Sequence, residues 1–135
     1  MNKKLEKQLY DKYPKIFAQK DLPMTQTCMC WGIDTEKGWY WLIDQLCSSI
    51  QSYIDNNPQN NIQQVECVQL KEKFGSMRFY YDGGDETIHG MVWLAEHMSY
   101  HTCEYCGCTK NVRQTSGWIK SLCTRCYNKY EKKTV

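Results

Sequence analysis

Apolar positions recur along this chain at two periods, and the change of period divides it into helices and strands. Leu5, Leu9 and Tyr13 repeat every four residues, with Ile16 and Phe17 beyond them, which predicts a short helix within residues 3–19. Pro14 lies inside that stretch and should break or kink it, because its ring removes a backbone donor and clashes with the preceding turn. Asp21-Leu22-Pro23 reads as a turn or an extended link. The clearest helix runs roughly from 38 to 56. Trp39, Leu42, Ile43, Leu46, Ile50, Tyr53 and Ile54 form its apolar stripe, while Asp44, Gln45, Ser48, Ser49 and Gln51 fill the other face. Asn56-Asn57-Pro58 ends it. A further helix, about 85–99, lines up Ile88, Met91, Val92, Ala95 and Met98, with Asp85 or Thr87 as its N-cap.

Between these helices the period drops to two. Residues 62–71 read as a strand around Val65-Glu66-Cys67-Val68-Gln69-Leu70. Residues 76–82 read as a second, with Met77, Phe79 and Tyr81 alternating against Arg78 and Tyr80. Lys71-Glu72-Lys73-Phe74-Gly75 makes a plausible hairpin connection. A lone hairpin is only marginally stable, so two amphipathic helices should cover one of its faces. Another strand could lie in the irregular residues 24–34. The expected fold is α+β: a small antiparallel sheet (hairpin) packed by two amphipathic helices, with a C-terminal zinc-ribbon or treble-clef-like module. The expected units are 1–101 and 102–135.

The cysteines supply the strongest chemistry. Cys103-Glu104-Tyr105-Cys106-Gly107 and Cys123-Thr124-Arg125-Cys126 are two C-x-x-C turns separated by sixteen residues. Each turn folds back so that both thiolates face one point, and four thiolates satisfy tetrahedral zinc. Thr115-Ser116-Gly117 reads as a turn, Trp118-Ile119-Lys120-Ser121-Leu122 as a strand, and residues 127–132 as a short helix. A site closed by Cys103, Cys106, Cys123 and Cys126 leaves no position for water, so its zinc should be structural. A redox pair would need a βαβ setting that the sequence lacks; an Fe–S cluster also uses four thiolates. Cys108 and His101 are potential extra ligands. Cys28 and Cys30, with Cys47 and Cys67, are a weaker candidate for a second metal, since lone cysteines commonly pack as small hydrophobes.

Nine cysteines are an odd number, which disfavours an all-disulfide scheme. With no secretory leader and no run of apolar residues long enough to span a bilayer, the expected setting is cytoplasmic and the expected partners exclude membrane. The net charge of +2 conceals a segregation: residues 1–20 carry +4, residues 21–100 carry −7 and residues 101–135 carry +5. The basic C-terminal segment, Lys110, Arg113, Lys120, Arg125 and Lys129 with Trp118, is therefore a candidate nucleic-acid surface. It could equally dock on the acidic middle of its own chain. A secondary candidate interleaves Lys71, Lys73 and Arg78 with Phe74, Phe79, Tyr80 and Tyr81, which suits phosphates and bases. The competing account is a hairpin whose aromatics fill the core. Asp82, Asp85 and Glu86 could hold a divalent cation or simply cap a helix. His89 and His97 lie eight apart on a helix, and neither an H-x-x-x-H or H-E-x-x-H pattern nor a Walker loop is read here.

Cys28–Gly32, Val68–Tyr80, Gly83-Gly84-Asp85 and Gly117–Cys123, taken together, resemble a family of small proteins encoded by phages and prophages. The likeness covers residues 10 to 127. It implies a phage-accessory setting and the terminal cysteine module, and it carries no catalytic residues. Two functions are expected to compete: nucleic-acid binding, and a protein inhibitor or adaptor acting on a host factor such as a defence component. An enzyme ranks third, because no convergent acid, base and nucleophile can be named. Oligomeric state is not readable from the sequence.

Overall fold

The computed structural model describes residues 1–134. Its main body contains helices α1 (Lys3–Lys12), α2 (Tyr40–Asn56) and α3 (Glu86–Ser99) and strands β1 (Ile33–Asp34), β2 (Glu66–Lys73) and β3 (Ser76–Asp82). The C-terminal segment adds a hairpin of β4 (Arg113–Gln114) and β5 (Ser121–Leu122), then helix α4 (Thr124–Thr134).

The first helix stops at Lys12, one turn earlier than its apolar pattern, because Pro14 cannot continue it. Ile16 and Phe17 are still fully buried. They reach the core from a run of turns, and the Ile16 carbonyl accepts a 2.7 Å bond from the Cys67 amide at the start of β2. Asp85 caps α3 by accepting from the Ile88 amide at 3.0 Å.

The sheet differs from the expected antiparallel hairpin. β2 and β3 do pair antiparallel, but β1, within residues 24–34, adds a third strand parallel to β2. Its two residues carry too little alternation to be seen by period alone. Glu6 of α1 fixes β1 by accepting from the Ile33 amide at 2.9 Å. α3 covers the free edge of β3: Ser99 Oγ accepts from the Met77 amide and Glu96 Oε2 from the Phe79 amide. Outward donors of an edge strand are thereby satisfied and the edge is closed to other chains. Trp39, Ile43, Ile50, Leu70, Met77 and Ile88 form the centre of the core, all fully buried.

Two elements of the terminal module also depart from expectation. Trp118-Ile119-Lys120 is a turn, not a strand. Thr115 Oγ1 accepts from the Lys120 amide at 2.8 Å and donates to the Trp118 carbonyl at 2.7 Å, which loops the chain outward. The terminal helix begins at Thr124, three residues earlier than expected, so Cys126 lies in its first turn.

Candidate functional site

Three elements deliver the four sulfurs. The Cys103–Gly107 turn closes through a 2.8 Å bond from the Gly107 amide to the Cys103 carbonyl. Gly107 holds a φ of +83°, a conformation open to glycine and strained for other residues. Cys123 follows β5 directly, and α4 carries Cys126 inward. The sulfurs of Cys103, Cys106, Cys123 and Cys126 all lie within 4.8 Å of one another. Cys106 Sγ and Cys123 Sγ are 3.6 Å apart. Four thiolates each about 2.3 Å from one ion stand about 3.8 Å apart, so the spacing suits a single metal ion. It is too long for a disulfide, whose sulfurs are about 2 Å apart.

The thiols differ in acidity. Burial opposes ionisation of Cys123, but the Cys126 amide and the neighbouring thiols outweigh it and bring Cys123 down to about 7. Burial, with those neighbours adding to it, pushes Cys126 up to about 12. The cluster thus favours one thiolate near neutrality and resists a second, which is what four unneutralised sulfurs at this spacing should do.

The cluster contains neither Cys108 nor His101. Cys108 is exposed and its sulfur accepts from the Lys110 amide. His101 packs against His97 instead, their rings tilted by 58° with centroids 5.2 Å apart. Those two histidines do form an H-x-x-x-H spacing, His97 to His101, which the sequence reading missed. Cys28 and Cys30 are exposed, and Cys47 and Cys67 are buried in the main core. Burial pushes the Cys47 and Cys67 thiols well up, which makes them packing groups. Among the described residues, no other group of three metal-ligating side chains comes together.

A buried polar seam joins this centre to the body. Glu104, between the first two ligands, is 1% exposed. Its Oε2 accepts from the Glu36 amide at 3.1 Å and its Oε1 pairs with Lys120 Nζ at 3.3 Å. Lys120 also pairs with Glu72 of β2 at 3.2 Å. The Gly38 amide donates to the Glu104 carbonyl at 2.7 Å, and Trp39 Nε1 donates to the Thr102 carbonyl at 2.9 Å. Ser121 Oγ donates to the Gly75 carbonyl at the hairpin tip, at 2.6 Å. The expected boundary at 101–102 is therefore crossed by a dense set of hydrogen bonds. Glu104, Glu72 and Gly38 were not legible as partners, because nothing local in the sequence links three positions so far apart.

The candidate nucleic-acid residues separate into groups. Lys120 is taken up by its two carboxylates. Arg113 lies over the Tyr127 ring, 3.7 Å from its centroid. Lys110, Arg125 and Lys129 are exposed, the last two one turn apart on α4. Trp118 is 75% exposed. In the hairpin, Phe79 is buried as the packing account required, whereas Phe74 and Tyr80 are exposed. Lys71 faces Arg78 directly across the β2–β3 pair, and Asp34 of β1 lies on its other side. Among the described residues, no ion pair engages Lys71, Lys73 or Arg78. Asp85 is accounted for by the cap and by Tyr53, whose hydroxyl donates to it at 2.7 Å. No described helix is long and apolar enough to cross a membrane.

No family model matches this chain, and neither the curated proteins nor the solved structures contain a match.

Proposed function

We propose that this chain is a zinc-stabilised binding protein whose ligand is nucleic acid. Zinc follows from the donor set: four cysteine sulfurs close around a space for one ion, and thiolates favour soft or borderline metals. The same spacing disfavours an Fe–S cluster, since several irons and sulfides would hold the four cysteines further apart. The turn, hairpin and helix around the sulfurs make a treble-clef-like arrangement with a structural ion. Native mass spectrometry of the purified chain should read one zinc per chain. A folded chain that carries no metal would overturn this part.

The observation that carries the nucleic-acid reading is the pair Lys71 and Arg78. Like charges directly opposite each other in a sheet are destabilising, and no carboxylate forms an ion pair with either. Such a pair is accounted for by an anionic ligand. Arg125 and Lys129 on α4 supply a second exposed basic surface, and a polyanion engaging both would bind with strong salt dependence. Anisotropy titrations of labelled single-stranded DNA, duplex DNA and structured RNA test this. Binding at low salt that weakens steeply as salt rises is expected. No binding to any of the three at low salt would overturn it.

One observation favours the other reading, an adaptor or inhibitor acting on a host protein, which the resemblance to phage-encoded proteins also suggests. Trp41, Leu94 and Met98 are exposed and line one groove between α2 and α3, and exposed apolar side chains gathered in this way mark protein interaction sites. A host protein recovered at one copy per chain, and lost with Leu94→Asp, would support it. Recovery unaffected by Leu94→Asp would count against that surface.

A further inference from the structure

The hairpin tip is built in a way that stability does not explain. β2 and β3 join through a two-residue turn, with Lys73 opposite Ser76 on either side of it. Both turn residues have positive φ, +55° at Phe74 and +83° at Gly75. That is the geometry of a type I′ turn, which favours Asn-Gly or Asp-Gly. Phenylalanine is a poor choice there, because its Cβ crowds the backbone at positive φ. Packing does not compensate, since Phe74 is 63% exposed. A strained, exposed aromatic side chain is the kind of feature retained for binding.

A second exposed aromatic faces the same space. Trp118 stands at 75% exposure on the Thr115–Lys120 loop, beside Gly117 at φ +69°. The two tips are fixed relative to each other. Ser121 holds the Gly75 carbonyl, and a Cβ added at Gly75 would lie 3.0 Å from Ile119 Cγ2. Between them is a cleft of about 360 Å³, lined by Phe74, Trp118, Lys71, Lys73, Glu72 and Asp34 among others. This volume falls in the range of small-ligand sites, about 300–1,000 Å³.

The charges in the cleft set the ligand's chemistry. Glu72 is already engaged by Lys120 and by the Gly75 amide. Lys71 and Lys73 have no ion pair, and Arg78 lies beside Lys71 on the same sheet face. Asp34, on the opposite side of Lys71, repels phosphate but accepts from the N–H edge of a base. A ligand with a planar aromatic part and an attached phosphate fits: its ring lies against the two aromatics with its N–H edge toward Asp34, and its phosphates point toward the cations. A base in a duplex is stacked and paired, so only an unpaired base can enter. Aromatic faces and basic side chains together are the common means of holding single strands.

We propose that the cleft between Phe74 and Trp118 holds an unpaired base of single-stranded nucleic acid, with Lys71, Lys73 and Arg78 meeting the adjacent phosphates. The proposal rests on the nucleic-acid reading above and assigns it a strand class and a base-stacking site. Phe74→Asn suits the turn and Trp118→Ala removes an exposed side chain, so both variants should fold and keep their zinc. The test compares the zinc-loaded full chain with each variant, using a labelled twelve-nucleotide single strand and the duplex of the same sequence. The wild type should prefer the single strand, and each variant should lose about 5- to 100-fold of that affinity, the range of one base–aromatic contact. Residual duplex affinity should not change. Single-strand affinity unchanged in both variants, or a wild-type preference for duplex, would overturn the cleft and leave the broader reading standing. No binding of wild type to either probe would remove both.

Discussion

Among the described residues, the body packs nineteen buried apolar side chains into one cluster, whereas the cysteine module's own cluster consists of Leu122, Cys103, Cys123 and Cys126. Three of those four are candidate metal ligands, so the module has a single aliphatic side chain at its centre. The body is held by apolar burial, which needs nothing added. The module, a hairpin of two-residue strands and one helix, buries little surface of its own, so the proposed ion would be its main support. The seam at Glu104 then makes the two interdependent. Glu104 lies inside the Cys103–Cys106 turn and reaches the Glu36 amide and Lys120. Whatever disturbs the metal turn disturbs the approach to α2.

Metal loss is the most severe way to break this comparison. Structural zinc in small modules contributes on the order of 10 kcal/mol of folding free energy. Cys123→Ser, or a strong chelator, should unfold residues 102–134 while the body keeps α2, α3 and its sheet at reduced stability. Far-ultraviolet circular dichroism should then show helical signal lost before heating, and the body should melt in one transition at a lower temperature than wild type. One unchanged transition would mean that the seam, not an ion, holds the module.

Lys120→Met tests the seam next. It leaves the buried Glu104 and the largely buried Glu72 without their cation, and breaking a buried pair on one side costs about 3–5 kcal/mol. The pH dependence has a definite sign. Burial holds Glu104 above its ordinary carboxylate range, with Lys120 and the Glu36 amide pulling it partway back. A raised carboxyl favours the protonated form in the folded state. Stability from this group therefore increases as pH falls from the raised value toward the ordinary one. The variant lacks the Lys120 offset, so it should regain more stability than wild type on mild acidification. Denaturant midpoints across that interval measure this, and parallel curves for the two proteins would refute it.

Gly38→Ala is a smaller probe of the same contact from the body's side. A Cβ at Gly38 would collide with the carbonyl oxygens of Cys103 and Glu104, and both are backbone atoms that cannot swing away. The seam must open slightly to admit it. The expected cost is about 2–3 kcal/mol, read as a lower melting temperature with zinc content unchanged. A melting temperature equal to wild type would show that the two regions tolerate separation.

The body and the module also differ in how far they were legible. Helices α2 and α3 and strands β2 and β3 follow from periods of 3.6 and two that extend over many residues. The four ligands follow from spacing, because a C-x-x-C turn is local. β1 is two residues long and its pairing is non-local, so no period marks it. The role of Lys120 was left open between a surface and a docking contact for a related reason. Its charge suggested a surface, but its partners Glu72 and Glu104 are distant in sequence and meet only when the module docks. Phe74 lay in a suspected stretch, yet its positive φ emerges only once the hairpin register sets a two-residue turn.

The smallest expected effect is also the one that separates folding from binding. At the hairpin tip Phe74→Asn places in a type I′ turn the residue that turn prefers. The left-handed conformation costs a bulky residue about 1–2 kcal/mol, of which asparagine recovers a part. Little packing is lost, since Phe74 is largely exposed and its contact with Lys73 is at 5.7 Å to the ring centroid. The variant should gain about 0.5–1 kcal/mol, a rise in melting temperature of about 2–4 °C for a chain of this size. Each of the preceding substitutions weakens the fold, and this one should strengthen it. A more stable variant that also binds single strands less tightly would identify Phe74 as a residue kept at the expense of stability. A fall in melting temperature would instead mean that Phe74 packs against the Trp118 loop and supports it, and the cleft's shape would then be structural in origin.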